Sequence, residues 1–139
     1  MAISSDPGSI AYVDASAYLK LLLEEDESET FAAVIGEWPD IVSSEILEVE
    51  MHRAAYREGL PTDACDDLLD AVTLISLNEP IRRRAQRIAH PVVRAGDAIH
   101  LATAASLGTP LGVLFAYDRR MLDGALLEGL PAFAPRPGP

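Results

Sequence analysis

Ser9-Ile-Ala-Tyr-Val-Asp14-Ala-Ser16 is the stretch from which this chain is best read. An apolar run climbs from Ile10 to Val13 and stops at a carboxylate. Small residues follow, and an amphipathic run begins with Tyr18, Leu19, Leu22 and Leu23 at helical spacing. The pattern predicts a buried first strand that delivers Asp14 to the edge of a sheet, where a helix starts. Open sheets of this kind bind ligands outside the carboxyl ends of their strands.

The same grammar returns near the other end. Gly112 to Ala116 is an apolar run that ends on Tyr117-Asp118, and a short helix is predicted from Arg119 to Glu128. Two strand ends of one parallel sheet share an edge, and neighbouring strands lie ~4.8 Å apart. Between them, helices are predicted over 15–25, 28–37, 45–58, 62–71, 79–89 and 98–107, with Ser28 and Ser43 or Ser44 as caps. Ile41-Val42 and 72–77 read as strands, and Leu130 to Ala134 as a last edge strand. Strands alternating with helices predict an α/β fold with a mostly parallel central sheet. No internal repeat or interdomain linker interrupts it, so residues 1–139 read as one domain, with its core over about 9–134 and a loose proline-rich tail at 135–139.

Composition narrows the setting. About half the residues are apolar, which excludes a disordered chain. No apolar run reaches the ~18 residues of a membrane span. Met1 to Gly8 has no basic flank or signal-type apolar region, and the single Cys65 has no internal disulfide partner. The expectation is a cytoplasmic protein with no membrane partner. The net charge of −11 at first argues against nucleic acid. Its distribution says more: residues 1–78 carry 17 acids and three bases, net −14, whereas 79–139 carry eight arginines and five acids, net +3. Arg82, Arg83, Arg84 and Arg87 crowd one predicted helix. Such a run is ordinarily a solvated face; its competing role is contact with RNA phosphates or an acidic partner segment. Arg94, Arg119 and Arg120 belong to the same arginine-rich half.

Asp14, Asp97 and Asp118 each precede a predicted helix, and Asp is a favoured N-cap, so each has an ordinary structural reading. For Asp14 and Asp118 that reading is weakened, because each directly ends a buried-looking strand. Glu50 follows a different logic. On its helix it lies in line with Ile46, Leu47 and Ala54, so it points along the apolar stripe, whereas Glu45, Glu48 and His52 share a solvated face. A buried carboxylate costs several kcal/mol unless it is paired or bound to a metal. Arg53 or Arg57 is its ordinary partner. Clustered carboxylates raise one another's pKa unless a cation neutralises them, and an all-oxygen set suits Mg²⁺ or Mn²⁺. His100 reads as a packing or locally bonded residue, since no Ser, Cys or acid is placed to form a triad with it. Ser16 reads as a cap, or as a hydroxyl at the acidic edge. Cys65 reads as a small core filler.

Together, Tyr12-Val-Asp14-Ala-Ser16-Ala, Ser43-Ser44 with Glu50 beyond, Arg94-Ala-Gly-Asp97-Ala-Ile-His-Leu-Ala-Thr-Ala104 and Tyr117-Asp118-Arg-Arg-Met-Leu122 resemble the PIN-domain family, and more closely its VapC-type toxins. The resemblance spans about residues 10–134, and the 97–104 block is its most specific part. It implies a three-layer α/β/α sandwich and a Mg²⁺- or Mn²⁺-dependent endoribonuclease whose acidic pocket is lined by Asp14, Glu50, Asp97 and Asp118. It also implies a structured RNA substrate such as tRNA or ribosomal RNA, a homodimer, and a cognate antitoxin that often places an arginine near the acids. The chain departs from the pattern at Ala116, where many relatives carry Thr or Ser.

A non-catalytic α/β module whose acidic pocket grips a partner's arginine is the alternative. A phospho-receiver also uses strand-end aspartates but needs a lysine near the last strands, and the only lysine is Lys20.

Overall fold

The computed structural model describes residues 3–139; Met1 and Ala2, part of the N-terminal segment read for signal features, lie outside the described residues. All four residues of β1 (Ile10–Val13) are fully buried, as expected of a parallel strand covered on both faces. It sits at the centre of a five-stranded sheet with β2 (Asp40–Ser44) and β3 (Thr73–Ile75) on one side, β4 (Leu111–Phe115) and β5 (Ala132–Phe133) on the other. Every neighbouring pair is parallel.

Side chains alternate across β1 and feed two cores. Ala11 and Val13 join Phe31 and Ile35 of α2 (Ser28–Ile35), Leu47 and Met51 of α3 (Ile46–Arg57) and Cys65 of α4 (Thr62–Leu69). Ile10 and Tyr12 face the other way, toward Leu101 and Ala104 of α6 (Ala95–Ser106) and Met121 and Ala125 of α7 (Arg119–Leu127). The basic helix α5 (Glu79–Ala85) packs on α6. The three-layer α/β/α sandwich with a parallel sheet is therefore present. Among the described residues no helix is long and apolar enough to cross a membrane.

The chain builds outward from β1 to β3, then returns to place β4 on β1's other side. The strand order reverses between β1 and β4, and open sheets of this kind bind ligands at such a point, beyond the carboxyl ends of the strands. Val13 pairs with Phe115, and the Asp14 N–H donates to the Phe115 carbonyl at 3.3 Å, so the segments after the two strands emerge side by side. At the other end of the pair Gly112 permits a close approach: a Cβ there would collide with the Gly8 carbonyl.

Three local expectations are corrected. The first helix stops early: α1 spans Ala15–Tyr18 and gives way to a 3-10 turn, Leu19–Leu21. Tyr18 is pinned there, its hydroxyl donating to the Leu68 carbonyl at 2.5 Å. Ser28 does not cap α2; it accepts the Glu25 N–H and donates to the Leu23 carbonyl, closing the intervening loop. Nor is the tail loose from residue 135. Pro135 is buried, its carbonyl accepts the Tyr117 hydroxyl, and Arg136 lies 3.7 Å from Glu27 and over the Tyr117 ring.

Candidate active site

Asp14 follows the last residue of β1 and caps α1, its Oδ1 accepting the Ala17 N–H at 2.9 Å. Ser16 Oγ donates to the same carboxylate, 2.8 Å from Oδ1 and 2.9 Å from Oδ2. Burial pushes the Asp14 carboxyl up to about 6, and the charge of Glu50 adds to this; His100, the Ala17 N–H and Ser16 pull it back. The capping role thus falls on a carboxylate that is also a candidate site residue.

Asp118 stands at the N-cap position of α7, but its side chain caps nothing. Its Oδ2 lies 3.6 Å from Arg120 Nε, beyond hydrogen-bonding distance. That nitrogen is the one buried side-chain polar atom without a hydrogen-bond partner among the described residues. Asp97 is not the start of its helix. α6 begins two residues earlier, at Ala95, with Arg94 in the extended capping position. Asp97 therefore projects from the first turn, where the helix dipole favours an anion. Half-burial and the charge of Asp118 nonetheless raise its carboxyl above the ordinary value, and Arg120 partly offsets them.

Glu50 on α3 is partly exposed, and neither Arg53 nor Arg57 is its partner. Its Oε1 is bonded at 2.6 Å to Nε2 of His100, which is buried. The other imidazole nitrogen, Nδ1, lies 2.7 Å from the Tyr12 hydroxyl on β1. His100, expected to pack or to bond locally, joins β1, α6 and α3 through these two bonds. Ser16 does not cap α1, a role that Asp14 takes, but lies at the acidic edge. Having donated its proton to Asp14, its oxygen accepts the N–H groups of Tyr117, at 2.9 Å, and Asp118, at 3.3 Å.

The charge of Glu50 raises the Asp14 carboxyl, and the charge of Asp118 raises that of Asp97. Among the described residues no three His, Cys, Asp or Glu side chains are closed around a common metal position. The donor chemistry still fits a hard divalent cation: the candidates offer carboxylate oxygens only, and Asp14 and Asp97 are raised above their ordinary pKa chiefly by burial, with a neighbouring acid adding to it.

The arginines divide into two groups. Arg94, Arg119 and Arg120 stand at the starts of α6 and α7, beside the acids. Arg82, Arg83, Arg84 and Arg87 are exposed on and just after α5. Arg83 pairs with Glu79 at 2.8 Å, and Arg82 donates to the Leu77 carbonyl. A groove lined by Leu77, Arg82, Ala85, Gln86, Ala95, Ala98 and Ile99 leads from that surface to the start of α6.

Comparison with known proteins agrees with this architecture. The PIN domain family model matches residues 11–125. Ribonuclease VapC47 of Mycobacterium tuberculosis (strain CDC 1551 / Oshkosh) is 35% identical over 130 residues, covering 89% of this chain and 96% of its own. Ribonuclease VapC35 of M. tuberculosis (strain ATCC 25618 / H37Rv) is 34% identical over 131 residues with the same coverage. Among solved structures, M. tuberculosis VapC20, described as a Sarcin-Ricin loop cleaving toxin, superposes with a TM-score of 0.71 over 91% of this chain and 99% of that one. Its 16% identity makes this a likeness of fold.

Proposed function

The chain belongs to the PIN-domain family, and from that premise we propose that it is the toxin of a toxin–antitoxin pair, an endoribonuclease dependent on Mg²⁺ or Mn²⁺. The observation that carries the reading is the convergence of Asp14 and Asp118 at the sheet's switch point, tied by one serine hydroxyl, with Asp97 near enough to Asp118 to be raised by its charge. The similarity to VapC ribonucleases supports the reaction type.

Asp14 and Asp97 would hold the cation, with Glu50 and Asp118 completing the acidic shell. When bound, such an ion activates water and stabilises the charge that develops in phosphodiester hydrolysis. The protein's own share is orientation. Ser16 and the Ala17 N–H fix the Asp14 carboxylate, and Ser16 also fixes the backbone on which Asp118 rides. Arg94, Arg119 and Arg120 stand where RNA phosphates approach the acids, and the α5 arginines extend that surface. RNA held on this edge is drawn by the basic C-terminal half of an otherwise acidic chain. A cognate antitoxin, a homodimeric assembly and action in the cytoplasm complete the proposal.

The test is hydrolysis of end-labelled structured RNA, a tRNA or a ribosomal stem-loop, by the chain alone with Mg²⁺ or Mn²⁺. Cleavage should require the ion and vanish in Asp14→Asn and Asp97→Asn. Cleavage that survives both substitutions would overturn the mechanism.

One observation favours a second reading. Arg120 Nε lies 3.6 Å from Asp118 Oδ2, so a guanidinium can stand beside this acid. A binding module that holds a partner's arginine there would show no divalent-ion affinity by calorimetry in the partner-free state.

A further inference from the structure

Tyr12, His100 and Glu50 form a hydrogen-bonded line from the sheet to the acidic edge, and none of its geometry is local in sequence. The line begins at the backbone of β2, where the Ser44 N–H donates to the Tyr12 hydroxyl at 3.1 Å. A backbone N–H can only donate, and the hydroxyl has one proton of its own. With the Ser44 N–H already donating to it, the hydroxyl has its own proton to give. It is directed to His100 Nδ1 at 2.7 Å, and this leaves Nε2–H to donate to Glu50 Oε1 at 2.6 Å. Tyr12 and His100 have no appreciable exposure, while the Glu50 side chain keeps about a third of its surface in water (35%). The line therefore has a dry, fixed end and a wet end.

The geometry also says which oxygen is left over. A Cβ added to Gly96 would stand 3.8 Å from Glu50 Oε2. Oε1 is thus committed to His100, and Oε2 faces the first turn of α6, beside the residue that precedes Asp97. A freely rotating glutamate would lose side-chain entropy on being fixed. Here that freedom is already removed by groups on three other elements, β1, β2 and α6.

We propose that His100, held by Tyr12, is a positioning residue that presents Glu50 Oε2 to the divalent ion of the acidic site. Buried partners of this kind orient metal-ligating carboxylates and histidines and typically change metal affinity by about 10–100-fold when removed. The inference rests on the metal-nuclease reading of the four acids and adds to it the residues that set one acid's direction. A brace between α3 and α6 would need the same contacts but would leave ion affinity alone once the fold is intact, and this separates the two roles.

The experiment compares Tyr12→Phe, His100→Gln and His100→Leu with the unsubstituted chain. Mn²⁺ binding is read by calorimetry, cleavage of labelled RNA as separate kcat and KM, and fold by thermal melting. Tyr12→Phe keeps the ring, and His100→Gln keeps a donor for Glu50, so both remain informative if His100→Leu does not fold. Mn²⁺ affinity is expected to fall about tenfold or more in Tyr12→Phe, with kcat lowered and KM for RNA unchanged. His100→Gln should recover part of the affinity that His100→Leu loses. Wild-type Mn²⁺ affinity and kcat in both folded conservative variants would overturn the proposal and reduce the line to a brace. A lack of Mn²⁺ binding by the unsubstituted chain would sink the nuclease reading itself, and this inference with it.

Discussion

Ser16 Oγ lies 2.8 Å from Asp14 Oδ1, and the same oxygen accepts the backbone N–H of Asp118, 102 residues further along the chain. One hydroxyl thereby joins the acid at the end of β1 to the turn that carries the acid after β4. Ala116 is fully buried and apolar. Among the described residues, Ser16 alone supplies a hydroxyl linking the two strand ends.

Ser16→Ala should accordingly damage both stability and activity. It leaves the Tyr117 and Asp118 N–H groups without their acceptor and removes a donor from a buried carboxylate. Unsatisfied groups of this kind cost about 1–3 kcal/mol. Urea unfolding should show a loss of that order, and cleavage should fall further than the lost folded fraction accounts for. Ser16→Thr, which keeps the hydroxyl, should retain more of both.

The raised carboxyl of Asp14 makes a signed prediction about pH. A group whose folded pKa lies above its unfolded value is more protonated in the folded state across the interval. For Asp14 that interval runs from the ordinary 3.8 to about 6. Its contribution is most favourable below the interval and is lost as pH rises through it, on the order of 3 kcal/mol at 1.36 kcal/mol per pKa unit. The difference in stability between wild type and Asp14→Asn isolates this contribution from the other carboxylates. Without divalent ions, that difference should turn against the wild type between pH 4 and pH 6 and stay flat above about pH 7. Adding Mn²⁺ at pH 7 should restore the wild type by about 2.7 kcal/mol at a hundredfold excess over Kd, and should do little for Asp14→Asn.

How much of this was legible in the sequence depends on the range of the interaction. Asp14 and Asp118 were readable because an apolar run that stops at a carboxylate is a local pattern, and the parallel sheet carries both stops to one edge. Glu50 was readable as partly buried because its neighbours at three and four residues are apolar. Its partner was not readable, since His100 is 50 residues away and was chosen by the packing of α6 against β1 and β2 rather than by helical spacing. Arg53 and Arg57, the neighbours that spacing offered, do not reach it. Asp97 was misplaced as a cap because Arg94, which no capping preference selects, occupies that position and the helix starts at Ala95. For Ser16 the sequence leaves a cap and a hydroxyl at the acidic edge both open, because two of its three polar partners lie more than 100 residues away.

Arg120 offers a test of the charge balance around Asp97 and Asp118. Its guanidinium lowers the Asp97 carboxyl and lies 3.6 Å from Asp118, yet its Nε has no hydrogen-bond partner. A cation at that spot opposes the entry of another. Arg120→Gln should therefore bind Mn²⁺ severalfold more tightly in calorimetry. The same substitution removes the phosphate contact proposed for Arg120, so KM for RNA should rise. Unchanged Mn²⁺ affinity would mean that the guanidinium is too well screened to compete.

The close approach of β4 to the chain before β1 can be tested through two glycines. A Cβ on Gly112 would meet the Gly8 carbonyl, which is backbone and anchored by the Gly8 N–H to Thr109 bond at 3.0 Å. A Cβ on Gly124 would meet only the ends of the Leu101 and Val93 side chains, at 2.8 and 2.9 Å. Side-chain ends can turn aside; an anchored carbonyl must take the sheet with it. Overpacking costs typically about 1–3 kcal/mol, and Gly112→Ala should fall at or beyond the upper end while Gly124→Ala falls below it. Urea midpoints of the two variants decide the order. Gly112→Ala should also slow RNA cleavage, because β4 carries the turn to Asp118, whereas Gly124→Ala lies outside that line of support.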